Sequence, residues 1–241
     1  MKLNEKKEEK LLDLLDEARD NRDYKSAEKL IKKLKKGKSE EIQEILDMYL
    51  EEAVEERDLV WAEFFLKNGA NPNTNLTGHD MPVLAWSMLY DSEIGKKLVD
   101  FGADVNAKSP YDETALMFVA KESRYDNDDL FYLIEHGADI NLADKNGKTA
   151  MMYALDGGNL GGFYALADHG ADLLAKDKEG KSVLDYAREA KGAGKLKPEN
   201  LKEIEKKIAE AELKKVDAEL AAIGGSQKPK VAPKVADGLE R

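Results

Sequence analysis

Apolar residues along the chain come in short bursts at three- and four-residue spacing, and each burst is closed by Gly or by a polar break, which is the pattern of amphipathic helices. The first stripe is Leu11, Leu12, Leu14, Leu15 and Ala18, stopped by Asn21–Asp23. The next is Tyr24, Ala27, Leu30, Ile31 and Leu34, stopped by Gly37. Ile42, Ile45, Leu46, Tyr49, Leu50 and Ala53 follow, then Leu59, Trp61, Phe64, Phe65 and Leu66. The spacing predicts an all-α chain of short helices joined in pairs. No single pair carries enough apolar surface to hide its own greasy face.

Four helices are closed by variants of one phrase: KNGANPN (67–73), DFGADVN (100–106), EHGADIN (135–141) and DHGADLL (168–174). Their glycines, Gly69, Gly102, Gly137 and Gly170, lie 33, 35 and 33 residues apart, a fixed step that marks a stacked repeat. Gly stops each helix because the position needs a left-handed conformation, and Asn71, Asp104 and Asp139 suit the turn that follows. A second phrase comes after each turn: MPVLAWS (81–87), TALMFVA (114–120), TAMMYAL (149–155) and SVLDYAR (182–188). Its leading Thr or Ser is placed to cap a new helix. Ala53, Trp86, Val119, Ala154 and Ala187 keep the same register, with steps of 33, 33, 35 and 33. The longer step predicts a two-residue insertion within Ser123–Asp129, between paired helices.

In these two phrases the chain resembles the ankyrin-repeat family, whose pattern runs T-P-L-H-x-A, a second helix, then G-A-D-x-N. Only Pro82 keeps the proline, and Met117, Met152 and Asp185 stand where the pattern has His. Turns less regular than those of consensus repeats are expected from that loss. The resemblance implies an ankyrin-repeat solenoid, stacked helix-turn-helix units with β-turn or hairpin loops, with a helical N-terminal cap and a long C-terminal helix. Residues 1–37 read as a degenerate capping repeat, although LDEARDNRDYKSAEKL also resembles a tetratricopeptide-type hairpin. Residues 38–190 hold four full repeats and a half repeat. Residues 191–223 form a linker and C-terminal helix, and 224–241, with Pro, Lys and Gly and few bulky apolar residues, read as a disordered tail. On the last helix Leu201, Ile204 and Ile208 share one face, expected to cover the end of the stack. Leu213, Val216, Leu220 and Ile223 share another, open to a second chain.

A net charge of −11 over 241 residues argues against general nucleic-acid binding, which needs a basic footprint. The absence of cysteine excludes disulfides and thiolate chemistry. No apolar run approaches the roughly 20 residues that span a bilayer. The start, MKLNEKKEEK, lacks an apolar signal core, so the cytoplasm is the default expectation, and a removed signal would make it secreted or periplasmic.

Candidate chemistry is sparse, and neither an enzyme nor a cofactor or metal site is expected. His136 and His169 precede the repeat glycines, at helix C-termini where His is favoured by the dipole. His79 sits at a turn tip. Asp126, Asp128 and Asp129 lack the glycine and distal glutamate of a calcium loop and read as an acidic first turn. Gly157, Gly158, Gly161 and Gly162 make no phosphate loop and are expected to loosen the fourth repeat. The basic run Lys29, Lys32, Lys33, Lys35, Lys36 and Lys38 reads as a solvated face of the cap.

What remains is surface. In the family the partner is usually held by turn tips and the exposed face of the first helices. By register the tips carry Asp80, Tyr111, Glu113, Lys145, Lys148, Lys178 and Lys181, and the helix faces Glu55, Glu56, Met88, Leu89, Lys121 and Glu122, with Tyr90 beside them and Trp86 as core filler or anchor. The expected function is a non-enzymatic module that binds a protein along this surface, acidic toward repeats one to three and Lys-rich toward four and five. An inhibitor or immunity-type protein and a host-directed effector are narrower forms of that reading. Self-association through Leu213, Val216, Leu220 and Ile223 is the alternative.

Overall fold

The computed structural model describes residues 2–35, 39–76, 78–122 and 127–222. Among these residues the chain forms twelve helices and no strand, in six successive pairs. They are α1 (Lys2–Asp20) with α2 (Tyr24–Lys35), α3 (Ser39–Glu55) with α4 (Leu59–Lys67), and α5 (Val83–Tyr90) with α6 (Ser92–Asp100). Then come α7 (Ala115–Lys121) with α8 (Asp128–Glu135), α9 (Ala150–Gly157) with α10 (Leu160–Asp168), and α11 (Val183–Gly192) with α12 (Pro198–Ala222). The first helices stack in a row, α3 on α5, α5 on α7, α7 on α9 and α9 on α11. The fold is an all-α helical repeat, as the spacing predicts.

Each repeat glycine does the same work. Gly69, Gly102, Gly137 and Gly170 have φ of 92°, 91°, 91° and 91°. Their N–H groups bond to the carbonyl three residues back, and the following alanine bonds five back, as in Ala103 N to Leu98 O at 2.9 Å. This double bond closes the helix and turns the chain sharply. Four residues before each glycine stands a side chain with no exposure at all: Phe65, Leu98, Leu133 and Leu166. The period therefore carries a buried layer as well as a turn.

The last residue of the phrase ties one layer to the next. The side-chain oxygens of Asn73, Asn106 and Asn141 accept from the backbone N–H of Asp104, Asp139 and Asp172, at 2.6, 2.8 and 2.8 Å. Asn106 and Asn141 also donate to the carbonyls of Gly137 and Gly170. Asp104, Asp139 and Asp172 close their own local turns by accepting from the N–H two residues on. Where the fourth copy has Leu174, no further GAD turn follows, and the ladder ends.

Between layers the chain makes a short finger, closed by isolated antiparallel bridges Asn75↔Pro82, Lys108↔Thr114, Ala143↔Thr149 and Lys176↔Ser182. The fingers of the later repeats are regular, contrary to the expectation. The regularity comes from Ser109, Asp144 and Asp177, one register position, whose side chains each accept from the backbone N–H two and four residues on. The first finger has Leu76 there, with no acceptor. Its bridge spans one residue more, and its left-handed residue is Gly78 rather than the counterpart of Asp112, Gly147 and Gly180.

Other expectations need correction. Of the residues placed to cap the first helices, only Ser182 does so, in a reciprocal box with Asp185; Thr114 and Thr149 make no cap bond, and the buried Thr149 hydroxyl has no partner. The glycines of repeat four serve close approach. A Cβ on Gly157 would sit 1.8 Å from the Lys121 carbonyl oxygen, and on Gly162 2.6 Å from the Asn159 side-chain nitrogen. The buried Asn159 amide donates to the Ala120 and Glu122 carbonyls, bracing α10 against α7. Residues 122–127 separate α7 from α8, whereas Asp91 alone separates α5 from α6, which fits the insertion; 123–126 lie outside the described residues.

The N-terminal pair keeps the same step. Arg19 pairs with Glu52, the Tyr49 hydroxyl donates to Asp16, and Lys35 Nζ donates to the Asn68 carbonyl oxygen, all at a separation of 33. At the other end Leu201, Ile204 and Ile208 pack inward as expected, with both isoleucines buried, and α12 is tied down by Arg188–Glu205 and Lys207–Asp168. Gly37 and residues 224–241 lie outside the described residues.

Asn106→Ala removes two bonds between layers. It is expected to cost about 1–2 kcal/mol, each net bond contributing about 1 kcal/mol, read as a lower midpoint in urea unfolding. Gly157→Ala forces a clash onto backbone and is expected to cost more, about 2–4 kcal/mol. Gly192→Ala meets nothing within 4 Å and is expected to be neutral or to gain about 0.5 kcal/mol.

Candidate functional site

The fingers and the exposed edges of the first helices make one continuous face. At its N-terminal end α5, with the sequence VLAWSMLY, carries no charged residue. Its Trp86 is half-buried and packs against Tyr90, ring centroids 4.7 Å apart, and against His79 of the preceding finger at 6.2 Å. His79 Nε2 lies 3.6 Å from a Glu55 carboxylate oxygen on α3. The Arg57 guanidinium lies 5.5 Å from the Tyr90 ring centroid, a cation–π contact. Arg57 holds φ at 56°, a left-handed conformation that disfavours every residue except Gly and, less so, Asn or Asp. Tyr90 is 49 % and Tyr111, on the next finger, 53 % exposed. Asp80 is exposed beside them and Leu89 is half-buried. Exposed aromatics with a charged surround are the composition of a protein-binding patch.

Met88 does not belong to this face. It is 4 % exposed and lies over Gly95, whose missing side chain makes room for it. Residue 88 thus falls on the helix side that meets α6, and its expected contact role is withdrawn.

Toward the C-terminal end, the expected cations are tied into the protein. Asp80, Glu113, Lys148 and Lys181 occupy one register position. Glu113 accepts from the Tyr153 hydroxyl at 2.9 Å and from Ser109 at 3.1 Å. Lys148 pairs with Asp156, its Nζ 4.6 Å from the Tyr153 ring. Lys181 pairs with Glu189, its Nζ 3.7 Å from the Tyr186 ring. Burial, then the bonds to Glu113 and Asp144, push the Tyr153 hydroxyl far above its ordinary range; burial and Asp177 do the same to Tyr186. At Asp177 burial works to raise the carboxyl, but the Tyr186 hydroxyl and the N–H groups of Lys181 and Glu179 prevail and hold it low. These are struts inside the finger array. Lys121, Lys145 and Lys178 remain exposed, with Lys178 Nζ donating to the Lys145 carbonyl oxygen at 2.6 Å. Glu56 pairs with Arg19 at the acidic end.

The remaining polar candidates are structural. His136 and His169 cap α8 and α10, with Nδ1 at 2.7 and 2.8 Å from the carbonyl oxygens of Tyr132 and Ala165. Asp129 lies 3.4 Å from Lys96; Asn127, before α8, makes no cap bond, and Asp126 lies outside the described residues. Lys32 pairs with Glu28; Lys36 and Lys38 lie outside the described residues. Among the described residues no group of three or more His, Asp or Glu is placed to hold a metal ion, and no helix is long and apolar enough to cross a membrane.

A family model for ankyrin repeats (3 copies) matches residues 83–177 and again 116–193. Residues 83–193 are ankyrin repeats. Ankyrin repeats are in general protein–protein interaction modules and typically non-enzymatic. No curated protein matches the chain. The ankyrin match runs from α5 to the end of α11; the pair α3–α4, before it, shares the glycine turn and the buried layer of those repeats. Sequence reasoning passed over Arg57 and His79 as parts of the aromatic cluster. The signal available was register: Arg57 is 33 residues before Tyr90, so the two are neighbours in adjacent layers.

The capping box of α11 is sensitive to acid. The Ser182 hydroxyl and N–H hold the Asp185 carboxyl below its ordinary value of 3.8. A depressed carboxyl stabilises the fold above that value and loses the contribution as pH falls through its folded value. In urea titrations from pH 6 down to pH 2, wild type is expected to exceed Asp185→Asn in stability at pH 6. The gap is expected to close below about pH 4.

Proposed function

We propose that this ankyrin-repeat chain binds a protein partner along the face built by its fingers and first helices. Trp86, Leu89, Tyr90 and Tyr111 supply the apolar anchor, and Asp80 and the neighbouring Glu55 the acidic surround, while Glu113 braces the finger from within. Lys121, Lys145, Lys148, Lys178 and Lys181 mark the far end, where Lys121, Lys145 and Lys178 are the exposed cations. The observation that carries the reading is the exposed Tyr90, packed on the half-buried Trp86 of an uncharged helix, with the exposed Tyr111 on the next finger. Large aromatics held rigid by neighbours bind at low entropic cost and dominate interfaces. The partner is read as a protein with an apolar segment followed by acidic residues toward the lysine end.

Affinity capture from the native source with Tyr90→Ser/Tyr111→Ser, against wild type and Phe131→Ser on the second-helix face, tests this. The double variant is expected to lose a specific protein at least tenfold while its melting temperature is unchanged and Phe131→Ser retains it. Equal capture by all three removes the reading.

A further inference from the structure

The helix α12 outruns the stack it covers. After Ala211 every described residue is exposed, through Ala222, so about 16 Å of helix, at 1.5 Å per residue, stands clear of the last layer. Yet this part is not polar all round. Leu213, Val216 and Leu220 are 62 %, 50 % and 63 % exposed and fall within about 60° of one another at 100° per residue. Their expected companion Ile223 lies outside the described residues. On one flank of the stripe, reached by Val216 alone of the three, a groove of 510 Å³ runs between α12 and the last finger, walled by Leu173, Leu174, Leu184 and Lys176 on one side and by Glu212, Lys215, Val216 and Glu219 on the other.

The charges beside the stripe decide what could cover it. Glu212 and Glu219 border it on the groove side, and Asp217 on the other; none of the three makes an ion pair among the described residues. Lys214 lies about 100° round the helix from Leu213, and Lys215 lines the groove with Lys176 of the last finger, beyond the positions that flank the stripe. In a coiled-coil register with Leu213 and Leu220 at one core position and Val216 at the other, the flanking positions are Glu212, Glu219 and Asp217. Pairing the stripe with a second copy of itself, parallel or antiparallel, sets carboxylate against carboxylate, and such flanking charges select the partner.

We infer that the outer part of α12 docks an amphipathic helix of another protein whose apolar stripe is flanked by Lys or Arg. The apolar stripe of that helix lies along Leu213, Val216 and Leu220. Its cations meet Glu212, Glu219 and Asp217. This surface is separate from the aromatic face at α5, and the two fail or stand independently.

The test is fluorescence anisotropy of the full chain with a synthetic labelled helix of three heptads, Leu at the core positions and Lys at the flanking ones, beside a twin with Glu flanks. The Lys-flanked helix is expected to bind at least tenfold more tightly than its twin. Leu213→Ser/Leu220→Ser and, separately, Glu212→Lys/Glu219→Lys are each expected to lower its affinity at least tenfold. Glu44→Lys/Glu135→Lys, the same charge change elsewhere, is expected to alter it less than twofold. Equal losses from the two reversals mean attraction to net charge only, and overturn the inference. So does wild-type affinity in the leucine variant. A dimer in sedimentation that the leucine variant abolishes assigns the stripe to a second copy. A tenfold gain on reversing Lys228, Lys230 and Lys234 to Glu assigns it to the chain's own tail. Either of these results also overturns it.

Discussion

Everything here depends on the inability of a thin helical layer to bury its own apolar face. Phe65, Leu98, Leu133 and Leu166 are wholly hidden, in a core that is continuous along the stack. The resulting body is long rather than round, and each layer depends on those beside it. The glycine turn and the asparagine ladder are what let layers approach at constant spacing. Gly brings the chain around without a Cβ, and Asn73, Asn106 and Asn141 convert a backbone N–H of the next layer into a bond that sets its position.

That economy has consequences for where function can sit. Side chains that hold the stack together, such as Tyr153, Asp144, Lys148 and Asp156, are spent on it even though they lie on the finger face. What is left for a partner is the part of the face where the stacking rule is relaxed. The helix α5 is the clearest case: its finger is a residue longer, its N-cap is Pro82, and its outward positions carry Trp86 and Tyr90. The second relaxed place is α12, where no further layer sets the length of the helix.

Much of the fold was legible because a repeat prints the same physical demand several times over. The positions of glycines, buried leucines and helix breaks follow from period alone. The turn regularity did not, because the acceptors, Ser109, Asp144 and Asp177, stand at a finger position outside the T-P-L-H pattern from which the His is missing. The glycines of repeat four were misread for a related reason: sequence shows the loss of a side chain, but only packing shows that the Lys121 carbonyl occupies its place. At the candidate site, register located Trp86, Tyr90 and Tyr111, but not which face of α5 turns outward. That left Met88 on the wrong side and hid the ion pairs that Lys148 and Lys181 make within the protein.

Hydrogen exchange on the full chain and on one ending at Gly180, which lacks α11 and α12, tests the central claim most directly. Removal of the last layer is expected to speed exchange in α9 and α10, which it covered, and to leave α3 to α6 as protected as before. Uniform loss of protection through all the helices, or none in α9 and α10, would contradict a body held together layer by layer.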